Sequence, residues 1–300
     1  MRVEMDGQAD LLLQRLEQRR RSGGFQQPGH VLQAQHMRTR GFLIGGTAGR
    51  TTLAGEGLQH QDGHSHVLAL GNPSLEAYDP AYAYEVAVIV REGLRRMLED
   101  GENVVYYLTL MNETYAMPPM PENSEDGILN GLYKFRASEN NRARIKAHLL
   151  GSGTILNEAL KAQKILEDDY DVAADVWSVT SYKKLYWGAT DTERWNLRHP
   201  GQPARVSHLE SQLAAEKGVF VAASDYLKAL PAMIAKWVPG PLFVLGTDGY
   251  GRSDTREQLR RFFEVDRNQI VYAALYALYR RELIGTSELL EARSSLGIDP

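Results

Sequence analysis

Cysteine is absent from the 300 residues, which excludes disulfides, thiol nucleophiles and thiolate metal sites. Long apolar runs are absent too, and none approaches the roughly 18 residues that span a bilayer. The opening from Met1 to Asp6 lacks the basic-then-apolar order of a secretory signal, and Leu11 to Leu13 is too short to form its core. Positive charge is not in excess: the net charge is −4, so no global field draws the chain to nucleic acid. Repeats and low-complexity tracts are missing as well. What remains is 43% hydrophobic and 24% charged, ordinary for a globular protein. The length predicts roughly two domains, and the expected location is cytoplasmic, with no membrane partner.

Residues 1–37 differ from the rest. The segment is rich in Gln and Arg and has little to bury, so it reads as a mobile extension. It holds a short helix candidate from Gln8 to Arg21 and a basic run, Arg19 to Arg21. Gly41 to Gly46 is a short apolar run closed by glycines, a strand or buried turn. Asp79–Pro80 opens a helix over Ala81 to Met97, with Val86, Ile89, Val90, Leu94 and Met97 as its apolar face. Val104 to Leu110 is β-branched and aromatic, the composition of a strand. Met117–Pro118–Pro119–Met120–Pro121 breaks regular structure and reads as a connection. From Arg144 the pattern alternates. Strands are predicted over Ile145–Leu150, Ala174–Val179, Val219–Ala223 and Leu242–Leu245. Helices are predicted over Ile155–Leu166, Glu257–Phe263 and Gln269–Leu283. Alternation of this kind implies a mostly parallel sheet covered on both faces.

The loop from Gly55 to His66 is the richest in chemistry. It packs three of the eight histidines and two carboxylates into twelve residues, with glycines that let the backbone turn. His60, His64 and His66 suit a metal, proton transfer near neutral pH, or a merely structural polar loop. The four-residue spacing of His60 and His64 fits one helix face, but the flanking Gly57 and Gly63 argue against a helix. Glu56 is a candidate to orient His60 or raise its pKa, though the spacing alone does not show that the two touch. Two further loops follow predicted strands. Gly151–Ser152–Gly153 is a partial dinucleotide fingerprint without its third glycine, since Leu156 stands there. Gly246 to Asp254 offers backbone donors and Arg252 to an anion, or Ser253 or Asp254 as a helix cap; the structural role is favoured.

Taken in order, these stretches resemble one family. Gly41 to Leu53 runs straight into the histidine loop. Tyr78 to Glu85, Asn112–Glu113, Met117–Pro118, Leu149 to Gly153, Ser178 to Ser181, Glu193 to Asn196 and Leu245 to Arg256 follow. Together they are similar to the homodimeric bacterial pyruvate dehydrogenase E1 component, a transketolase-like enzyme dependent on thiamine diphosphate. The resemblance covers about Met37 to the C-terminus. It implies an α/β fold: residues 38–115 as the last part of a transketolase-type pyrimidine-binding domain, 116–143 as a Pro-rich connection, and 144–300 as a transketolase C-terminal-like domain that serves dimer packing and architecture. It also implies oxidative decarboxylation of pyruvate, with acetyl transfer to a lipoyl-bearing E2 acyltransferase. His60 and Glu56 correspond to active-site residues. Thiamine diphosphate and Mg2+ belong to the full enzyme, and their main site is expected to lie outside this chain; no metal ligand is assigned here. The chain then reads as a C-terminal portion, truncated or split, inactive when isolated and completed by a homodimer or by an N-terminal portion in trans. Within its incomplete first domain, Tyr106 to Leu110 is expected to present an open strand edge. The alternative is a non-catalytic dimerisation or assembly module of the same descent. A nicotinamide-binding protein is a distant third.

Overall fold

A computed structural model describes residues 38–46, 48–140 and 142–299. The extension and helix expected before residue 38 lie outside the described residues. The first lobe is built on three parallel strands: β1 (Gly41–Gly46), β2 (Leu75–Tyr78) and β3 (Val105–Leu110), in the order β1–β3–β2. β3 is thus central and buried along almost its whole length, which corrects the open edge expected at Tyr106 to Leu110. The missing neighbour was β2, four residues long and too short for its alternation to register in sequence. Among the described residues, the sheet's edges are β1 and β2.

Two helices accompany this sheet, α1 (Ser65–Leu70) and α2 (Ala83–Leu98). α2 begins two residues later than predicted. The Glu85 carboxylate accepts the Ala81 and Tyr82 N–H groups at 2.5 and 3.1 Å, closing the first turn behind Pro80. Its buried face is also rotated from the expected one. Gly93 rather than Leu94 faces the sheet, because a Cβ there would lie 2.8 Å from the Phe42 ring and 3.2 Å from Tyr106. Leu94 is exposed.

The second lobe holds a five-stranded sheet, ordered β4–β6–β5–β7–β8. β5 (Ile145–Gly151), β6 (Val172–Val179), β7 (Val219–Ala223) and β8 (Leu242–Leu245) are parallel; β4 (Leu132–Arg136) joins β6 antiparallel. β4 and the short α3 (Glu125–Asn130) fall inside the stretch read as a connection, so the irregular link is shorter than 116–143. Gly131 makes the α3-to-β4 corner possible, at φ +101°.

Successive strand residues point to opposite faces, and the two faces carry separate cores. On one, Leu149, Val176 and Val221 pack with α4 (Ile155–Tyr170) and the helix Arg267–Arg280. On the other, Leu150, Trp177 and Phe220 pack with α5 (Tyr182–Arg198) and α6 (His208–Leu213). The short α7 (Ala229–Ala232) follows β7. α8 (Arg256–Phe262), α9 (Arg267–Arg280) and α10 (Thr286–Ser295) complete the lobe. No helix among the described residues is long and apolar enough to cross a membrane.

The carboxyl ends of the two sheets face each other. Asp79, just after β2, donates its N–H to Thr180 O at 2.8 Å and accepts at its carbonyl from Gly153 N at 3.1 Å. Ser181 Oγ reaches Ala77 O at 2.5 Å. Lys183 is buried and donates to the carbonyls of Ala69, Asn72 and Leu75. Loops from both sheets therefore share one interlobe seam.

Candidate functional site

The histidine loop rises from β1 at this seam. Gly55 and Gly57 adopt φ of +79° and +77°, the left-handed region that glycine enters without strain. A Cβ on Gly57 would lie 2.6 Å from Ser253 Oγ, so the loop also needs glycine to approach the second lobe. The loop is not helical. It becomes α1 only at Ser65, where Asp62 Oδ1 accepts the N–H groups of His64 (2.9 Å) and Ser65 (3.1 Å).

The three histidines separate. His60 Nε2 lies 3.8 Å from Glu56 Oε2, and these side chains are 45% and 54% exposed. His64 is exposed, its Nδ1 3.5 Å from Arg50. His66 is buried, with Nε2 3.0 Å from Thr109 Oγ1. They do not assemble as a metal trio. Burial pushes the His66 imidazole down to about 4, so it is neutral near pH 7. Thr109 Oγ1 in turn donates to Asp79 Oδ1 at 2.7 Å. Burial raises the Asp79 carboxyl to about 7 against the hydrogen bonds of Thr109 and Ser152, and the nearby acids Asp225 and Glu85 push the same way. Glu85, also buried and raised, accepts from Tyr133 Oη (2.6 Å) and Ser178 Oγ (2.7 Å) of the second lobe.

The second lobe holds the histidine loop. Asp225, fully buried just beyond β7, accepts from Thr51 N (2.8 Å), Thr51 Oγ1 (2.6 Å), Thr52 N (3.0 Å) and Thr52 Oγ1 (2.8 Å). Burial raises its carboxyl against the Thr51 N–H, the two threonine hydroxyls and the nearby Arg260 charge. Gln61 donates to Leu53 O at 2.7 Å and accepts Arg252 N at 2.8 Å. Gly55 N reaches Asp254 O at 3.0 Å, and Arg256 Nε reaches Thr52 O at 2.7 Å. Buried Arg50 lies against Gly63 and donates to Thr247 O.

The loop from Gly246 to Asp254 reaches the histidine loop through Arg252 N, Ser253 Oγ and Asp254 O, while Thr247 and Asp248 bond to Tyr226, Asp225 and Lys228. Its expected cap is corrected: Thr255 Oγ1, not Ser253 or Asp254, accepts from Gln258 N at 3.3 Å to start α8. Arg252 lies over the Phe262 ring, 4.2 Å from its centroid. At Gly151–Ser152–Gly153, a Cβ on Gly153 would sit 2.8 Å from Asp79 Oδ2. A carboxylate of the first lobe thus covers the amino end of α4, where a dinucleotide phosphate would have to sit.

Sequence reasoning missed Asp225, Gln61, Arg50, Thr109 and Lys183. The available signal was position: Asp225 follows a predicted parallel strand at its carboxyl end, where ligand-facing or loop-organising groups gather.

One further grouping of possible ligands occurs among the described residues: His148, Asp175 and Glu216. Lys134 Nζ lies 2.8 Å from Asp175 Oδ2 and 2.6 Å from Glu216 Oε1, and Lys146 Nζ lies 2.8 Å from Asp175 Oδ2. The two ammonium groups balance the two carboxylates. The group borders Lys217, before β7, with His148 and Asp175 midway along β5 and β6, away from the carboxyl ends that meet the histidine loop.

Comparison with known proteins bears on this geometry. Residues 19–118 match the pyruvate dehydrogenase E1 component middle domain, and residues 131–266 match the transketolase-like TK C-terminal domain. The likeness therefore reaches back from Met37 to residue 19, into the stretch read as an extension, and the second match begins at the corner before β4. The chain is 50% identical over 279 residues to the pyruvate dehydrogenase E1 component of Pseudomonas aeruginosa, covering 92% of this chain and 32% of that protein. It thus spans about a third of such a relative's length. Among solved structures it is similar to a transketolase from Pichia stipitis (TM-score 0.60, 15% identity, 88% of this chain and 36% of that one). It is also similar to a split-gene transketolase described as an inactive beta4 tetramer (TM-score 0.52, 17% identity, 79% of this chain and 67% of that one). At these identities the structures show the fold alone. The two consecutive domain matches, with 50% identity along 92% of the chain, establish that it belongs to the pyruvate dehydrogenase E1 component family, as the C-terminal portion of that protein.

Proposed function

We propose that the chain supplies the histidine loop and the C-terminal lobe for a pyruvate dehydrogenase E1 reaction. That reaction is thiamine diphosphate-dependent oxidative decarboxylation of pyruvate, with acetyl transfer to lipoyl-bearing E2. The observation that carries the reading is the exposed Glu56–His60 pair, 3.8 Å apart, on a loop whose stems are tied down across the seam. Histidine beside a carboxylate is suited to proton transfer or to holding a substrate carboxylate. In this reading His60 acts on substrate-derived groups and Glu56 orients it.

The carboxylates of Asp175, Glu216 and Asp225 give no support for a magnesium–diphosphate group held on this chain. His148, Asp175 and Glu216 are engaged by Lys134 and Lys146, and Asp225 has both oxygens filled by threonine donors. No step is therefore assigned through the cofactor on this chain. Its site is proposed for the part of the longer relatives that this chain does not span, contributed in trans or within a dimer.

Mixing the chain with the unmatched portion of the Pseudomonas aeruginosa relative, thiamine diphosphate, Mg2+ and pyruvate tests this. Pyruvate-dependent dye reduction should appear only in the mixture. His60→Ala should lower it by about 10²-fold or more, the usual range for a lost proton-transfer group. A rise in the Michaelis constant alone would mark His60 as a carboxylate anchor; loss of turnover would mark proton transfer. Tight association without activity would favour the non-catalytic assembly module. A heat-stability gain from cofactor and Mg2+ on the pure chain would contradict that placement of the cofactor site.

A further inference from the structure

The second lobe does more than pack: we infer that Asp225 is the positioning residue that sets the geometry of the His60 loop across the interlobe seam. The consequence for chemistry rests on the reading of His60 given above; the positioning itself does not.

Each Asp225 oxygen takes one N–H and one hydroxyl, from Thr51 at Oδ1 and Thr52 at Oδ2. The Thr52 hydroxyl is also 2.6 Å from Thr154 Oγ1, so a second group of the same lobe as Asp225 backs the grip of the carboxylate. Charge-assisted bonds of this kind are the stronger ones. Gly49 leaves the required space, since a Cβ there would run into the Asp225 carboxylate. Two residues beyond Asp225, Leu227 N donates to Gly63 O at 3.0 Å. The loop is thus gripped at both stems by one short second-lobe segment; between them Glu56, Leu58, Gln59 and His60 stand exposed, while Gly57 is buried against Ser253. Bonds from Gly246 to Arg256 then hold the stems laterally, through Gln61, Gly55 and Thr52.

Only an ionised or acceptor-rich group serves here. Asp225→Asn keeps the shape but replaces one acceptor oxygen with an amide donor. That amide would face an N–H and a hydroxyl already pointing inward, a donor–donor clash in a buried site.

The test uses the intact chain. Imidazole NMR signals of His60 and His64, and amide hydrogen exchange from Thr51 to Gly57, are compared between wild type and Asp225→Asn. His199 and His208, on the second lobe away from the loop, serve as internal references. The expected result is displaced His60 and His64 signals and exchange at least about tenfold faster in the loop, with unmoved references and protected β5 and β6. Unchanged loop signals in a folded variant would overturn the inference. Should Asp225→Asn fail to fold, Thr51→Val removes a single hydroxyl donor. It should move the same signals in the same direction by less, and unmoved signals there would overturn the inference equally. In the reconstituted mixture, Thr51→Val should lower turnover more than it alters the pyruvate Michaelis constant. Displaced NMR signals with no activity in any mixture would leave the positioning intact and defeat the enzymatic reading instead.

Discussion

Asp79 is the residue on which pH should act most directly. Its carboxyl is raised from 3.8 to about 7 by burial, so the folded chain keeps a proton that the unfolded chain releases. Stability from this group is fully present below the unfolded value and is lost as pH rises through about 7. His66 acts with the opposite sign: its imidazole falls from 6.5 to about 4, so its contribution is lost as pH falls below 6.5. Comparing variants separates the two. Asp79→Asn should be the more stable protein at pH 8, by up to about 4 kcal/mol, and the gap should narrow by pH 5. Urea unfolding at both pH values measures this; a variant less stable than wild type at pH 8 would refute it. At this scale, Glu56 and His60 were legible because both lie in one short loop. Asp225 was not, since it meets Thr51 across 174 positions of chain and no local pattern encodes that meeting.

Elements with strong composition were found nearly to their ends. Val219–Ala223 and Leu242–Leu245 are strands as read: both are short, continuous apolar runs, the first fully buried and the second half-buried at the sheet edge. α5, seventeen residues long, was missed. Its aromatics and Gly188 weaken a helical reading, and packing against the second face of the sheet overrides that propensity. β4 was taken as connection because the acidic and proline-rich run before it hides the corner at Gly131. That corner supplies a test. Gly131 has φ +101°, and a Cβ there would meet Ser181 O at 2.5 Å. Its carbonyl also accepts Thr180 N at 3.0 Å. Gly131→Ala should destabilise the chain by about 2–3 kcal/mol, combining left-handed strain with that clash. An unchanged denaturation midpoint would remove the corner from the account.

Across the whole molecule the two lobes are bonded more closely than a domain division suggests. Lys183 reaches three first-lobe carbonyls, Ser181 reaches Ala77, Glu85 takes two second-lobe hydroxyls, and Asp225 takes four first-lobe donors. Cleavage of the exposed chain around Met117 to Met120 should therefore leave the pieces associated, co-eluting on size exclusion until denaturant is added. Separate elution in native buffer would show that the seam is weaker than its bonds imply.

The sequence by itself determined the family resemblance, the histidine loop, the parallel α/β character of the second lobe and most of its strands. Those properties are local: they follow from residue type, spacing and short-range periodicity. Only the tertiary structure decided that β3 lies between two neighbours and that three adjacent histidines enter three different environments. It also decided that a second-lobe aspartate holds the first-lobe loop. Periodicity reports which side of an element is apolar, but not which distant element covers it. Hydrogen bonds across the seam join groups far apart in the chain, and only folding brings them within 3 Å.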